Sequence, residues 1–375
     1  MRLGTVVAVT ATTVIGAGAA AVAAGRYAGD VALKPSPGRP FPGDPRLTVH
    51  SAAGDHLVLT RSLASLRPGT YGLTGAGCHA VVGPVVHGTP HPADAVVRRL
   101  VRVTHGTLRP GARMRLTPQV HAGNPHDALG LTYEEVDVPG ELGTLPAWLV
   151  PGARDTWVLT VHGLGTTREH PMVVLPFLHR HHFPVLDLAY RNDPGAPHTA
   201  DGLHHLGDTE WRDLDAAIRY AVQHGARAVV LYGWSAGATM ALRAAVNSAL
   251  RDRISGLVLD SPILDRHATV RALAAARRIP RILLPLAVRA AEGHTGLPVD
   301  RPADAVDPDE LGVPVLLFHG PEDTLAPWGA SRSFAARRPE LITLAPVPLA
   351  PHAAMWNVAP DRYEETLRRF LTPLM

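Results

Sequence analysis

The sequence has almost no cysteine and almost no lysine. Cys78 is the only cysteine, so an intrachain disulfide is excluded and a buried structural thiol is the expected role. Lys34 is the only lysine, and every other basic side chain is an arginine in a chain rich in Gly, Pro and Ala. Because this bias is typical of a GC-rich genome, we interpret arginine pairs such as Arg98-Arg99 and Arg277-Arg278 as solvated surface rather than recognition patches.

The chain also has little net charge. Its formal charge is +3, with 18% charged and 46% hydrophobic residues. This composition excludes a disordered chain and leaves no reason to expect a nucleic-acid partner. A length of 375 residues exceeds one average domain, so we predict one large domain and an additional module.

The N-terminal segment lacks charge from Leu3 to Gly25. About 20 such residues are enough to span a bilayer. The segment is rich in Ala, Gly and Thr, however, so its insertion would be weak, and its small residues also resemble signal-peptidase sites. We predict that residues 1–26 are a membrane anchor, with a cleaved signal segment as the alternative. The catalytic part would then be extracytoplasmic, either anchored or secreted.

Two further segments precede the main domain. Residues 34–45 (KPSPGRPFPGDP) have the proline density of an extended linker. Residues 46–127 predict a small β-rich accessory module, because short apolar runs alternate with Gly- and Pro-containing turns. The candidate strands are LTVHS, HLVLT, CHAVVGPVV, VVRRLVRVT and RMRLTPQV.

From about residue 128 to residue 375 the pattern becomes one of alternating strands and helices. TWVLTVHG is a continuous apolar strand, and DTEWRDLDAAIRYAVQHG has the spacing of an amphipathic helix. Repeated β-α units predict a doubly wound, mostly parallel sheet flanked by helices. Ligands bind such sheets beyond the carboxyl ends of the strands. A helical insertion at about residues 263–311 would form a cap over that edge.

The stretch VVLYGWSAGATMAL places Ser235 between a buried strand and an Ala-rich helix. Gly233 and Gly237 supply the small residues that a sharp strand-to-helix turn requires. A serine hydroxyl is a weak nucleophile without an adjacent base. The turn alone therefore leaves open whether Ser235 is a nucleophile or only a polar turn residue.

Two later strand ends supply the partners that a nucleophilic serine needs. Asp323 follows VPVLLFHG, and His352 follows LITLAPV. His352 would take the proton of Ser235, and Asp323 would orient the imidazole. Glu322 and Asp260 compete with Asp323 for the acidic role, and Asp260 has a local structural role as its alternative.

The oxyanion of such a reaction needs preorganised N–H donors. The backbone N–H of Ala236, directly after the serine, is one, and the backbone N–H of Leu164 in the loop HGLG is the other. His162 is expected to shape this loop through hydrogen bonds. The histidines of HRHH (179–182) face different sides of a helix, so we predict no metal there, and this chemistry needs no cofactor.

The order Ser235, Asp323, His352 and the motifs HGLGTTRE, LAYRNDPG, LYGWSAG, VLDSPILD, HGPEDTLAP and PHAAMWN resemble the α/β-hydrolase superfamily. The resemblance covers about residues 131–375 and is strongest to its serine-aminopeptidase-like and Bem46-like branches. It implies an α/β-hydrolase fold, those three residues as the triad, and Leu164 and Ala236 as oxyanion donors. Pro351 departs from the glycine that usually precedes the histidine, and it would stiffen that loop.

The expected function is a serine hydrolase that cleaves small carboxylic esters or related acyl compounds. Trp234 and Trp328 flank the predicted nucleophile and acid loops, and we predict that they line the substrate pocket. A serine peptidase of the same fold is an alternative, which the absence of an acidic cluster near the site disfavours. A non-catalytic, membrane-anchored binding protein on a hydrolase scaffold is the second alternative.

Overall fold

The computed structural model describes residues 23–36, 38–286, 288–289 and 306–375. These residues form a barrel and an eight-stranded sheet covered by helices. The strands of the larger sheet are nearly continuous apolar runs, because helices cover both of its faces.

Residues 47–117 form a closed antiparallel barrel with the strand order β1-β2-β5-β4-β3-β6. Its core includes Leu57, Leu59, Leu73 and Cys78, and this cysteine is a buried free thiol. Five of the six strands coincide with predicted ones. The strand that the sequence pattern missed, β3, contains two glycines, which lower its β-propensity. The strands are β1 (Leu47–Ala53), β2 (His56–Thr60), β3 (Tyr71–Gly75), β4 (Cys78–Val85), β5 (Ala95–His105) and β6 (Arg113–Thr117).

The second sheet has the order β14-β13-β12-β11-β9-β10-β8-β7. Strands β9 to β14 run parallel. At one edge β8 is antiparallel to β10, and β7 pairs antiparallel with β8. This is the predicted α/β-hydrolase architecture. The strands are β7 (Glu134–Pro139), β8 (Thr144–Val150), β9 (Thr156–Val161), β10 (Val185–Leu188), β11 (Ala228–Trp234), β12 (Ile254–Asp260), β13 (Val315–His319) and β14 (Ile342–Pro346).

Helices cover both faces of this sheet. On one face lie α3, α4 and α6, and on the other α2 and α8, each turning an apolar stripe toward the strands. The helices are α1 (Pro125–Leu129), α2 (Leu175–Arg180), α3 (Trp211–Gln223), α4 (Ala236–Asn247), α5 (Arg266–Ala276), α6 (Trp328–Arg337), α7 (Met355–Val358) and α8 (Pro360–Leu371). Short 3-10 turns occur at Pro171–Val173, Arg251–Arg253, Arg281–Leu283, Pro308–Glu310 and Thr372–Leu374.

The predicted N-terminal membrane segment lies mostly outside the described residues, which begin at residue 23. Residues 23–33 form a helix, here called the N-terminal helix, and its side chains Ala28, Ala32 and Leu33 are buried against the rest of the protein. Among the helices of the described part of the chain, none is long and apolar enough to cross a bilayer. Membrane attachment through residues 1–26 therefore stays a prediction.

The described part of residues 34–45 does not behave as a free spacer. It has no regular secondary structure, as its prolines require, but Phe41 is buried in the barrel core. The backbone N–H of Gly38 donates to the carbonyl of Gly165, 3.0 Å away. Asp44 pairs with Arg67 of the barrel. The linker prediction is thus wrong about packing, because proline density constrains the backbone without preventing burial.

Arg98 is also not the surface residue that the sequence bias led us to expect. Its side chain is fully buried, and its guanidinium donates to the carbonyls of Ser65, Arg67, Gly69 and Gly83 at 2.7–3.1 Å. Burial lowers the pKa of Arg98 to about 10, so the group stays charged at neutral pH. Arg98 therefore fixes the β2–β3 loop from inside the barrel.

Candidate active site

Ser235 lies at the turn between β11 and α4 with a positive φ of 54°. Such a φ is strained for a residue other than glycine and occurs mainly at functional sites. The turn is possible because its flanking glycines touch other backbone: a Cβ on Gly233 would lie 2.3 Å from the Gly237 carbonyl carbon, and one on Gly237 would lie 2.3 Å from Val161 O. The turn projects Ser235 beyond the carboxyl end of β11.

The three residues at the strand ends meet in one hydrogen-bonded chain. His352 Nε2 lies 2.6 Å from Ser235 Oγ, and His352 Nδ1 lies 2.7 Å from Asp323 Oδ2. A carboxylate only accepts hydrogen bonds, so Nδ1 carries the donated proton and Nε2 is left to accept from the hydroxyl. This is the geometry in which a serine can lose its proton to a base that a carboxylate orients.

Asp323 is held by more groups than His352 alone. Its Oδ1 accepts from the backbone N–H groups of Leu325 and Ala326, both at 2.8 Å, and His319 Nε2 lies 2.9 Å from Oδ2. Burial would raise the pKa of Asp323, but His352 and His319 outweigh it and hold that pKa well below its usual range. The carboxylate is therefore ionised and fixed in orientation.

The two rival acids occupy other positions. Glu322 is exposed and accepts a hydrogen bond from the backbone N–H of Leu349. Asp260 is fully buried at the end of β12, where Ser261 Oγ and the Tyr363 hydroxyl donate to it at 2.9 Å and 3.2 Å. The hydrogen bonds of Asp260 thus fit its local structural alternative, and the one acid bonded to His352 is Asp323.

Asp260 should make stability depend on pH. Burial raises the pKa of Asp260 to about 7, whereas an unfolded aspartate has a pKa of about 3.9. Between these values the folded state binds one proton more, so this group lowers the free energy of unfolding as pH rises from about 4 to about 7. We expect Asp260→Asn to be more stable relative to the wild type at pH 8 than at pH 4.5, by a few kcal/mol.

Urea unfolding of both proteins at the two pH values measures this difference. Asp252→Asn, in the exposed turn before β12, is the control for the removal of one aspartate. An Asp260→Asn variant whose stability relative to the wild type is the same at pH 4.5 and pH 8 would contradict the prediction.

The loop after β9 lies directly against the serine. A Cβ on Gly163 would lie 2.6 Å from Ser235 Cβ, so the peptide between Gly163 and Leu164 borders the reaction site. The carbonyl of that peptide accepts from Thr166 Oγ1 at 3.0 Å and contacts His162 Nδ1 at 3.0 Å. Because a carbonyl and the following N–H belong to one planar group, these contacts also fix the direction of the Leu164 N–H.

His162 is held from its other side by Asp193, a residue that the sequence analysis did not single out. The His162 Nε2 to Asp193 Oδ2 distance is 2.7 Å, and both side chains are buried. Burial lowers the pKa of His162, but the Asp193 carboxylate outweighs it and raises the pKa above its ordinary value. Asp193 lies within the motif LAYRNDPG, which follows a strand. This position at a strand end is the sequence feature that could have identified it as a site residue.

The two predicted pocket tryptophans differ in their burial. Trp234 is 1% exposed, and its ring stacks on that of Tyr232 with centroids 4.3 Å apart, so it is a core residue beneath the site. The pocket prediction for Trp234 is wrong because side chains alternate along β11, and this one points into the core. Trp328 begins α6 and packs edge-on against His319 at 5.7 Å. Trp328 is half-buried beside the acid loop, and its role in the pocket stays a prediction.

The HRHH histidines make no shared site. His181 Nδ1 contacts the carbonyl of Phe177, while His179 and His182 are exposed. Within the residues that the structure describes, no group of three or more His, Cys, Asp or Glu side chains is placed to hold a metal.

Ser235 is closed off from solvent, with an exposure of 1%. An apolar cluster covers the site: it joins Ala236 to Val270 and Leu273 of α5, to Leu325 of the acid loop and to Leu33 of the N-terminal helix. A separate small cavity of about 20 Å³ lies between the N-terminal helix, Leu164 and Leu273, and no residue of the Ser-His-Asp chain lines it. Helix α5, which belongs to the described part of the predicted cap, thus packs at the active-site edge.

Taken together, a parallel α/β sheet and a Ser-His-Asp chain at its carboxyl edge define a protein of the α/β-hydrolase type. The sequence model of the alpha/beta hydrolase family matches residues 158–374, more than half of the chain. The chain belongs to this family. Residues 48–117, the barrel, match a domain of unknown function (DUF8805). Nothing in these matches distinguishes the serine-aminopeptidase-like or Bem46-like branch.

Solved structures of esterases resemble this chain. An esterase of Pyrococcus furiosus is 24% identical, with a TM-score of 0.55 over 68% of this chain and 95% of its own. A thermophilic esterase of Thermogutta terrifontis is 20% identical, with a TM-score of 0.46 over 64% of this chain and 98% of its own. The search of curated proteins finds no match to this chain.

Proposed function

We propose that this protein is a serine hydrolase that cleaves small carboxylic esters. The single observation that carries the proposal is the chain of contacts from Ser235 Oγ to His352 Nε2 at 2.6 Å and from His352 Nδ1 to Asp323 at 2.7 Å. Membership of the alpha/beta hydrolase family supports a hydrolytic reaction. The Pyrococcus furiosus structure that shares the fold is described as an esterase, and we extend that activity to this chain.

In the proposed acylation step, Ser235 Oγ attacks the ester carbonyl carbon as its proton passes to His352 Nε2. The carbonyl oxygen becomes an oxyanion, which the N–H groups of Ala236 and Leu164 would stabilise. Each such donor is worth roughly 3–4 kcal/mol in a dry site. The tetrahedral intermediate then expels the alkoxide, which leaves as the alcohol with the proton from His352. Ser235 is left as an acyl ester.

Deacylation repeats these steps with water. His352 Nε2 takes a proton from water, the resulting hydroxide adds to the acyl carbon, and Ser235 Oγ leaves with the proton that His352 returns. The buried Asp323 carboxylate stabilises the imidazolium in both halves of the reaction without accepting the proton itself. His162 and Thr166 would preorganise the Leu164 donor by holding the Gly163 carbonyl.

The enclosure of the site favours substrates with short acyl groups. Ser235 is 1% exposed, and the apolar cluster that includes Ala236 leaves little open space beside it. Three of the side chains in this cluster, Leu33, Leu273 and Leu325, are apolar and buried, so a small hydrocarbon group such as a methyl can pack against them. Longer acyl chains would have to displace the N-terminal helix from α5.

The test is hydrolysis of a p-nitrophenyl ester series from acetate to octanoate, beside alanine p-nitroanilide. We expect kcat/KM to fall at least about tenfold from acetate to octanoate, because each step requires more displacement of a packed apolar cluster. The anilide should be turned over far more slowly than the acetate ester. Faster turnover of the anilide than of the esters would favour the alternative of a serine peptidase. The absence of turnover with every ester would contradict the proposal.

Leu33→Ala tests the cause of this preference. Removing the Leu33 side chain opens space in the apolar cluster that covers the site, so turnover of the octanoate ester should rise relative to the acetate ester. Leu33→Met, which conserves volume, is the matched control and should keep the wild-type profile. An unchanged profile in Leu33→Ala would mean that the N-terminal helix does not limit the acyl group.

A further inference from the structure

The barrel makes close contact with both loops that carry the reaction site. Asn357 lies in α7, five residues after His352, and is 1% exposed. Its side-chain Nδ2 donates to the carbonyls of Thr70 and Pro118, at 2.9 Å and 3.0 Å. The backbone N–H of Thr70 in turn donates to the carbonyl of Asn357 at 2.9 Å. The segment that follows His352 is therefore hydrogen-bonded to the barrel.

The barrel loop and the segment after His352 come into direct backbone contact at Gly69. Gly69 has a φ of +88°, and a Cβ there would lie 2.0 Å from Asn357 O. The buried Arg98 donates to the carbonyl of Gly69 at 2.7 Å and so fixes this loop from within the barrel. Ala354, two residues after His352, packs with the barrel core. The barrel thus contacts the His352 segment through the Gly69 loop, which Arg98 holds in place, and through its core residues.

A second contact joins the end of the barrel module to the oxyanion loop. Gln119 follows β6; its Oε1 accepts from the backbone N–H of Thr167 at 3.2 Å, and its Nε2 donates to Glu169 at 2.9 Å. Glu169 also accepts from the backbone N–H of Gly123 at 2.7 Å. The segment 167–169 continues the loop that holds Leu164. One module therefore contacts both the segment that follows His352 and the segment that follows Leu164.

We propose that the barrel is a positioning module that holds the His352 segment and the oxyanion loop in the geometry required for reaction, with Asn357 and Gln119 as its positioning residues. This inference rests on the proposed esterase function. The physical reason is that a displacement of a catalytic group by about 1 Å can lower a rate about 100-fold. The barrel supplies no group that contacts the reacting atoms, so substrate binding should depend on it much less than turnover does.

The experiment compares two glycine substitutions within the barrel. Gly69→Ala introduces a clash with Asn357, whereas Gly111→Ala, at φ +84° in the β5–β6 turn, meets nothing within 4 Å. Both glycines have nearly the same positive φ, so the difference between the two variants reports mainly on the contact. With p-nitrophenyl acetate we expect Gly69→Ala to lower kcat about 10- to 100-fold with KM changed less than about threefold. Gly111→Ala should stay within about twofold of the wild-type kcat.

Asn357→Ala provides a second route if Gly69→Ala folds poorly. It removes both side-chain hydrogen bonds to the barrel without adding a clash, and it should lower kcat with KM nearly unchanged. The positioning role would be overturned, and the proposed function kept, by an active wild type whose kcat is matched by all three variants: Gly69→Ala, Asn357→Ala and Gly111→Ala. A wild type without Ser235-dependent turnover would overturn the proposed function and this inference with it.

Discussion

Replacing Ser235 with alanine is expected to lower kcat for p-nitrophenyl acetate by about 10⁴- to 10⁶-fold. The reason is that the variant has no atom to form the acyl ester, and only the positioned N–H donors and the closed site remain to assist water. The same substitution should abolish covalent labelling by a fluorophosphonate probe, which reacts with an activated serine hydroxyl. Both readouts are measured on the full chain.

The fold should survive this substitution. The hydroxyl of Ser235 contacts His352, and its removal leaves the backbone bond from Ser235 N to Asp260 O in place. Ser255→Ala is the matched control, because that serine lies on the neighbouring strand β12 and its hydroxyl donates to the Val229 carbonyl. Full labelling of Ser235→Ala would show that another residue is the nucleophile.

The sequence predicted well those parts of the site whose position follows from the pattern of apolar strands. Buried parallel strands are apolar runs, so their carboxyl ends are visible in the sequence, and Ser235, Asp323 and His352 each follow one of them. Parallel strands of one sheet bring their ends to one edge. The structure accordingly places these three side chains in one hydrogen-bonded chain.

Long-range packing was not predictable in the same way. Arg98 belongs to an arginine-rich sequence, and no local pattern reveals that four backbone carbonyls surround it inside the barrel. Trp234 was predicted to line the pocket because it is next to the nucleophile in sequence. Which face of a buried strand borders the pocket, however, depends on the layers packed around that strand. The packing of Leu33 over the site depends on a helix about 200 residues before the nucleophile. Such contacts are set by tertiary structure.

Replacing Asp323 with asparagine is expected to lower kcat about 10³- to 10⁴-fold, with a much smaller change in KM. Two backbone N–H groups, from Leu325 and Ala326, donate to Oδ1 and would hold the amide oxygen of the variant on their side. The amide NH₂ would then face His352 Nδ1, which must become an acceptor. The imidazole proton would move to Nε2, where it blocks acceptance of the Ser235 proton.

Two carboxamide variants separate this effect from a general loss of negative charge. Glu322→Gln changes an exposed neighbour of Asp323 and should keep kcat within about twofold, since screened surface charges act weakly. Asp260→Asn replaces a buried acid that hydrogen-bonds to Ser261 and Tyr363, and its kcat should fall less than about tenfold because the tautomer of His352 is preserved. Steady-state kinetics at pH 8 rank the three variants. Only the acid that fixes the imidazole proton on Nδ1 leaves Nε2 free to act as the base. A larger loss of kcat in Asp260→Asn than in Asp323→Asn would therefore assign the orienting role to Asp260, at the end of β12.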